Sequence, residues 1–232
     1  DFGINLMHQG RFREAVPYLE EYGALVPSDL TLMGLLESCD VCENESPMFG
    51  SMVNLDFLPI NNRGAAESAA VPFRDGLVFM TNQFAKKKSK DSWDDMQSDL
   101  YYVVIDNQGG MGEPVLFDKK IADKSNDDGP ITFTKYGEQA YYAGTAAKAG
   151  PSGVAKEVIY SAEFLDGKWT NNQEAPFNEP AYHTTHPSMS PEDGTIFFAS
   201  DREGGFGGMD IWMSELFGDI WRKPVNLGPI VN

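Results

Sequence analysis

Cys39 and Cys42 are the only two cysteines, set three apart in Cys39-Asp-Val-Cys42. That spacing serves a local disulfide, half of a zinc site, or a redox dithiol. Zinc needs two more good ligands and a redox motif needs a strand–helix–strand setting. The surrounding sequence offers neither, so a disulfide or a pair of free thiols is expected. His183 and His186 have a spacing that could share a metal with a carboxylate. In a loop leading into a strand they need not face one way, and no metal site is expected from them. Asp91, Asp94, Asp95 and Asp99 form an acidic run that lacks the ligand spacing of a calcium-binding loop. Lys86, Lys87 and Lys88 make a small basic patch in the same insertion, Gln83–Ser98, which also carries Trp93. Long connections on a rigid scaffold often hold contacts, so Lys86, Lys87, Lys88 and Trp93 are the candidate partner surface. Gly204-Gly205-Phe206-Gly207-Gly208 lies between strand-like runs and presents no helix N-terminus to a phosphate. No nucleophile and base can be paired from a chain with three histidines. The residue types therefore predict no catalytic group, no cofactor and no metal.

Composition narrows the classes further. The chain has 232 residues, with 18 Lys+Arg against 35 Asp+Glu and a net charge of −17. Such an acidic surface does not suit nucleic-acid phosphates or an anionic leaflet. A hydrophobic share of 41% is enough for a packed core. No apolar run approaches the ~18 residues of a spanning helix. The chain opens on Asp1 without a leader-like segment, as a processed or trimmed product would.

Two periodicities organise these residues. Over residues 1–38, Leu6, Met7, Phe12, Ala15, Val16, Leu19, Tyr22 and Leu25 recur at three- and four-residue steps, which predicts helices with one buried face. Gly10 marks a turn and Pro27-Ser28-Asp29 a stop. Ser28 or Asp29 is placed to cap a third helix begun by Leu30–Leu36. From about Ser46 the helical period is gone. Short aromatic and β-branched runs follow, at Leu77–Met80, Leu100–Ile105, Gln139–Tyr142, Val158–Ala162, Thr195–Ala199 and Asp210–Met213, bounded by Gly, Asp, Asn and Pro. With no helix between them they predict an antiparallel, mainly β domain.

The strand runs repeat. His186–Asn232 reads as four strands: His186–Ser190, Thr195–Ser200, Asp210–Leu216 and Trp221–Leu227, with Pro191-Glu192-Asp193-Gly194 as the first turn. The same order recurs upstream with turns at Asp75-Gly76 and Gly137, third strands opening at Asp99 and Glu157, and Trp169 in the place of Trp221. Four strands at a period of about 55 residues predict a β-propeller of which this chain holds about three blades, too few to close a ring. The expected organisation is a helical part at 1–45, a linker at 46–66, and three blades at 67–232. Val53–Asn62 echoes Val225–Asn232, so Met52–Leu58 is expected to form a ring-closing outer strand.

"HPSMSPEDGTIFFASDREGGFGGMDIWMSEL" resembles the WD-like propeller repeat of the TolB type, in the version found in the OmpA-family, PorE-like envelope proteins of Bacteroidota. "GRFREAVPYLEEYGALVPSD" resembles the second half of a tetratricopeptide repeat, which precedes the propeller in that family. The likeness covers residues 186–232 well and 67–180 less closely. It implies structural roles: Asp75, Gly76, Gly137, Asp193 and Gly194 at turns, Asp201, Arg202 and Asp210 tying a loop to its blade, Trp169 and Trp221 between blades. It also implies a non-enzymatic scaffold on the periplasmic side of the outer membrane, linking type IX secretion or gliding components to peptidoglycan. The partners so implied are an outer-membrane barrel of the PorP/SprF kind and neighbouring scaffold proteins. The lipid anchor and peptidoglycan-binding domain would lie outside this sequence. Two rival readings stay open: a glycan- or peptidoglycan-binding propeller, and a regulatory propeller of a hydrolase.

Overall fold

The computed structural model describes residues 2–27, 29, 31–49, 58–62, 64–84, 98–121, 128–151 and 153–232, with side chains of the third helix followed as far as Asn44. The chain divides into two compact units, Asp1–Phe57 and Leu58–Asn232.

The first unit is helical: α1 (Phe2–His8), α2 (Phe12–Leu25) and α3 (Thr31–Phe49). Leu6, Ala15, Leu19 and Cys39 form its buried centre, with Met7, Phe12, Val16, Leu32, Leu35 and Leu36 around them. Leu6, Met7, Phe12, Ala15, Val16 and Leu19 sit where their three- and four-residue spacing places them, whereas Tyr22 and Leu25, expected on the same face, are 41% and 78% exposed. Asp29 caps α3, its Oδ1 accepting from Thr31 N at 2.9 Å and from Thr31 Oγ1 at 2.6 Å.

The second unit is built of three antiparallel sheets. The first contains β1 (Glu67–Phe73), β2 (Gly76–Thr81), β3 (Asp99–Val104) and β4 (Val115–Leu116). The second contains β5 (Asp128–Phe133), β6 (Gln139–Thr145), β7 (Glu157–Leu165) and β8 (Lys168–Glu174). The third contains β9 (Thr184–Met189), β10 (Thr195–Ser200), β11 (Asp210–Phe217), β12 (Ile220–Trp221) and β13 (Val225–Asn226). In the first two, strands follow one another in chain order; in the third, β12 and β13 both pair with β11. The expected single strand Trp221–Leu227 is thus two short pieces. Pro224, which has no N–H to give a ladder, sits in the break. Each first strand also pairs irregularly with the second, at Ser68/Val71, Asp128/Ile131 and Phe197/Ala199.

Backbone bonds fix a common register across the sheets. At one end Ile105 N donates to Asp75 O at 2.7 Å, Phe164 N to Glu138 O at 2.7 Å, and Leu216 N to Gly194 O at 2.9 Å. At the other end Phe117 N donates to Leu100 O at 2.9 Å, Ala175 N to Ile159 O at 2.8 Å, and Leu227 N to Ile211 O at 3.1 Å. The third strands therefore superpose with Asp99, Val158 and Asp210 in one position. Glu157 stands one residue outside the place expected for it. Trp169 faces Phe164 across its ladder and Trp221 faces Leu216, so the two tryptophans are equivalent, and Met111, bridged to Ile105, takes that position in the first sheet.

The turn glycines correct the sequence reading. Gly76, Gly137 and Gly194 were expected in one position, and they fall in three. Arg74, Gly137 and Asp193 share the left-handed position, with φ of 53°, 68° and 60°. Asp75, Glu138 and Gly194 follow them, and then Gly76, Gln139 and Thr195. Gly76 is required for a different reason, because a Cβ there would lie 2.0 Å from Val103 O.

Alternation along the strands sends side chains to both faces. Val78, Leu100, Met80 and Tyr102 leave one face of the first sheet and meet Ile131, Ala140, Tyr142, Ala162 and Trp169 of the second. From its other face Tyr141 and Ile159, with Ala175 and Phe177, meet Ile196, Phe198 and Trp212 of the third. Each Val, Leu, Ile or Phe among them contributes about 1.5–3 kcal/mol when fully buried, so these two seams hold the unit together. Phe79, Tyr101 and Val103, on the remaining face of the first sheet, are covered by Ile60. Of the expected ring-closing segment, Met52–Phe57 lies outside the described residues, and Leu58 is not in a strand.

Candidate functional site

The loop from Ser200 to Asp210 is densely hydrogen-bonded to its sheet and to itself. Asp210 accepts from Phe206 N, from Gly207 N at 3.0 Å and from Asn226 Nδ2 at 2.8 Å. The Phe206 N–H leads in holding its carboxyl below the usual carboxylate range, with Asn226 and the Gly207 N–H adding to it. A Cβ on Gly205 would approach Asp210 Oδ2 to 2.4 Å, so only glycine lets the loop wrap the carboxylate. Asp201 Oδ1 accepts from His183 N at 2.6 Å.

Arg202 is 5% exposed. Its Nε donates to Ser200 Oγ at 3.1 Å, and Nη2 donates to Phe177 O at 3.1 Å and Thr184 Oγ1 at 3.2 Å. Its ion pair is with Glu179 at 3.5 Å, not with Asp201 or Asp210. Its guanidinium lies 5.0 Å from the Phe198 ring centre and 5.4 Å from that of Trp212. Phe177 precedes the third sheet, so this arginine stitches the connection between sheets to the sheet it leads into. Asp210, Asp201 and one nitrogen of Arg202 thus hold backbone groups of this loop and of the connection before it, which suits a structural role, while Arg202 Nη1 is buried with no hydrogen-bond partner among the described residues.

His183 Nδ1 accepts from Glu157 N at 3.2 Å, which places the ring proton of neutral His183 on Nε2. His183 and His186 border one groove, yet among the described residues no three His, Cys, Asp or Glu side chains gather to hold a metal. Cys39 and Cys42 are free thiols one helical turn apart in α3, so the disulfide alternative is not what the structure holds. Burial pushes the Cys39 thiol up. Lys86, Lys87, Lys88 and Trp93 lie outside the described residues, as do Asp91, Asp94 and Asp95. Among the described residues no helix is long and apolar enough to cross a membrane.

Among the described residues, three surface features are the strongest candidates to receive a ligand or partner. The first is a cleft of about 330 Å³ in the seam between the second and third sheets, bordered by Tyr141, Ser161, Glu163, Leu216, Asp219 and Trp221. The second is a groove of about 760 Å³ on the outer face of the third sheet, where Phe197, Ala199 and Ile211 line it. Leu100 and Ile159 are fully buried, whereas the equivalent Ile211 is 42% exposed. The third is a set of exposed apolar side chains, Phe84, Val154, Phe206 and Met209, on the connections between second and third strands.

Sequence reasoning singled out none of Tyr141, Ser161, Glu163 or Asp219. The usable signal was the equivalence of Trp169 and Trp221, because lining up the repeats on it sets Ser161 against Tyr102. No protein-family model matches the chain, and no curated protein matches it.

Proposed function

We propose that this chain is a non-catalytic protein-binding scaffold and that its three sheets are consecutive blades of a β-propeller. Three sheets of like register, packed face to face with equivalent side chains in each seam, support the propeller reading. The helical unit, by its resemblance, is the end of a tetratricopeptide-like domain. The scaffold reading is carried by one observation: Phe84, Val154, Phe206 and Met209 stand exposed on the connections between second and third strands. Binding residues concentrate on the loops of a rigid scaffold, and Phe and Met are among the side chains enriched in interfaces.

The resemblance supplies the setting: a bacterial envelope protein, periplasmic and associated with the outer membrane. It would join a type IX secretion or gliding assembly to peptidoglycan through parts outside this chain. A barrel of the PorP/SprF kind is the proposed direct partner. The test is capture of that barrel from solubilised envelopes by the immobilised chain. Phe206→Asp with Met209→Asp should abolish capture while leaving the fold intact by near-ultraviolet circular dichroism. Equal capture by this variant overturns the reading.

A further inference from the structure

We propose that the cleft in the seam between the second and third sheets is a guanidinium site that receives an arginine side chain from a partner protein. The preceding seam shows what such a wall accommodates. There Arg74, from the turn between β1 and β2, lays its guanidinium over Phe164 with Cζ 4.1 Å from the ring centre, and over Phe73 at 4.9 Å. Phe164 is opposite Trp169 in its ladder. In the next seam the equivalent wall is Leu216 opposite Trp221, and both border the cleft.

Among the described residues no cation fills this second position. The turn of the second sheet carries Gly137 in the left-handed place held by Arg74 in the first. Lys135 of that turn sets its ammonium 5.8 Å from the Tyr136 ring centre instead. Arg222 pairs with Glu215 at 3.3 Å. Among the described residues, no lysine, arginine or histidine borders the cleft.

The space itself comes from one exchange. Tyr102 of the first sheet packs in its seam and bonds to Asp75. The register-equivalent residue of the second sheet is Ser161, which leaves the volume open. Around it stand two carboxylates, Glu163 and Asp219, and two aromatic rings, Tyr141 and Trp221 in edge contact at 5.8 Å. One oxygen of Glu163 accepts from Asn171 Nδ2 at 2.7 Å, which holds the carboxylate in place. Carboxylates beside aromatic rings repel an anion and suit a planar cation, which can take both hydrogen bonds and a ring face. Guanidinium is preferred to ammonium here because it is weakly hydrated and flat. The proposal rests on the scaffold reading only for the source of the arginine.

The experiment is an NMR titration of the isotopically labelled chain with N-acetyl-arginine amide, following the Trp221 indole N–H. A ligand of this size should saturate with Kd on the order of 1 mM. Glu163→Gln with Asp219→Asn should weaken it at least fivefold, as should Ser161→Tyr, which fills the cleft. N-acetyl-citrulline amide should give no saturable shift. A flat titration overturns the proposal, and so does an equal response to the citrulline compound. A shift with N-acetylglucosamine and none with arginine overturns it as well, in favour of a saccharide cleft. Partner capture with the Phe206→Asp/Met209→Asp variant is read separately, so either result can fail while the other holds.

Discussion

The Asp193 carboxylate accepts a hydrogen bond from Lys135 N at 2.8 Å, joining the first turn of the third sheet to the first turn of the second. Asp193 also carries a left-handed backbone, φ 60°, which an L-residue adopts at a cost unless something holds it there. The cross-sheet bond is that restraint. Asp193→Ala should destabilise by about 1–3 kcal/mol, combining a lost bond with an unrelieved backbone. Asp193→Gly should cost less, since glycine adopts this φ freely. Urea unfolding of both variants measures the order, and an alanine variant as stable as the glycine one would refute it.

Gly194 and Gly76 separate cleanly by substitution. Nothing lies within 4 Å of a Cβ built on Gly194, and its φ is not left-handed. Gly194→Ala should leave stability unchanged or raise it by up to about 1 kcal/mol, through the entropy of the unfolded chain. A Cβ on Gly76 would strike Val103 O, so Gly76→Ala should cost about 3 kcal/mol or more. Thermal unfolding of the pair reads both effects. Similar midpoints for the two variants would show that the register is misassigned.

That pair also shows how far the sequence could be read. Strand runs and their order were legible because alternating apolar residues bounded by turn formers leave few options. The register was not, because a glycine signals a special backbone without saying which kind. Gly137 answers a left-handed φ, Gly76 a close approach, and Gly194 neither. Likewise Asp99 and Asp210 line up, while Glu157, which merely looks like them, is displaced by one. The seam cleft was illegible for a related reason: it depends on what Ser161 lacks relative to Tyr102, and a missing side chain leaves no motif.

Arg202 should be the most sensitive charged residue of the third sheet. Its buried guanidinium serves Ser200, Thr184 and the Phe177 carbonyl together. Arg202→Ala strands those acceptors and opens a void between Phe198 and Trp212, so a loss of about 3–5 kcal/mol is expected. Arg202→Lys keeps the charge but cannot reach the same set, and should recover under half of it. A loss below about 1 kcal/mol for the alanine variant in urea unfolding would show that this network is dispensable.

Asp210 and Asp75 contribute to the acid limb of stability, beside Glu14 and Asp29 of the helical unit, whose carboxyls are lowered too. The first two carboxyls sit below their ordinary range, Asp210 chiefly through the Phe206 N–H and Asp75 chiefly through the Tyr102 hydroxyl. A depressed folded-state value means that the stabilisation is present above the unfolded pKa, near 4. It is then lost as pH falls through the folded value. Stability should be flat from neutral pH to about pH 5 and should decline below about pH 4. Asp210→Asn should be less stable at pH 7 and show a shallower acid slope. An acid slope identical to that of the parent chain would remove Asp210 from the account.

Tyr102 contributes to a matching alkaline limb, beside Tyr141, Tyr142 and Tyr160, whose phenols burial also pushes up. Burial first, and the bond to Asp75 second, push the Tyr102 phenol up to about 12. For a raised folded-state value the stabilisation is complete below the unfolded pKa near 10 and is lost as pH rises toward the folded value. Between those limits the unfolded chain sheds a proton that the folded chain keeps, so unfolding becomes progressively easier from about pH 10 to about pH 12. Tyr102→Phe removes the titrating group and the bond together. It should be less stable than the parent chain at pH 7, yet lose less stability between pH 9 and pH 11. Phenolate absorbance recorded alongside urea midpoints tests this, and parallel pH profiles for the two proteins would rule Tyr102 out as the source.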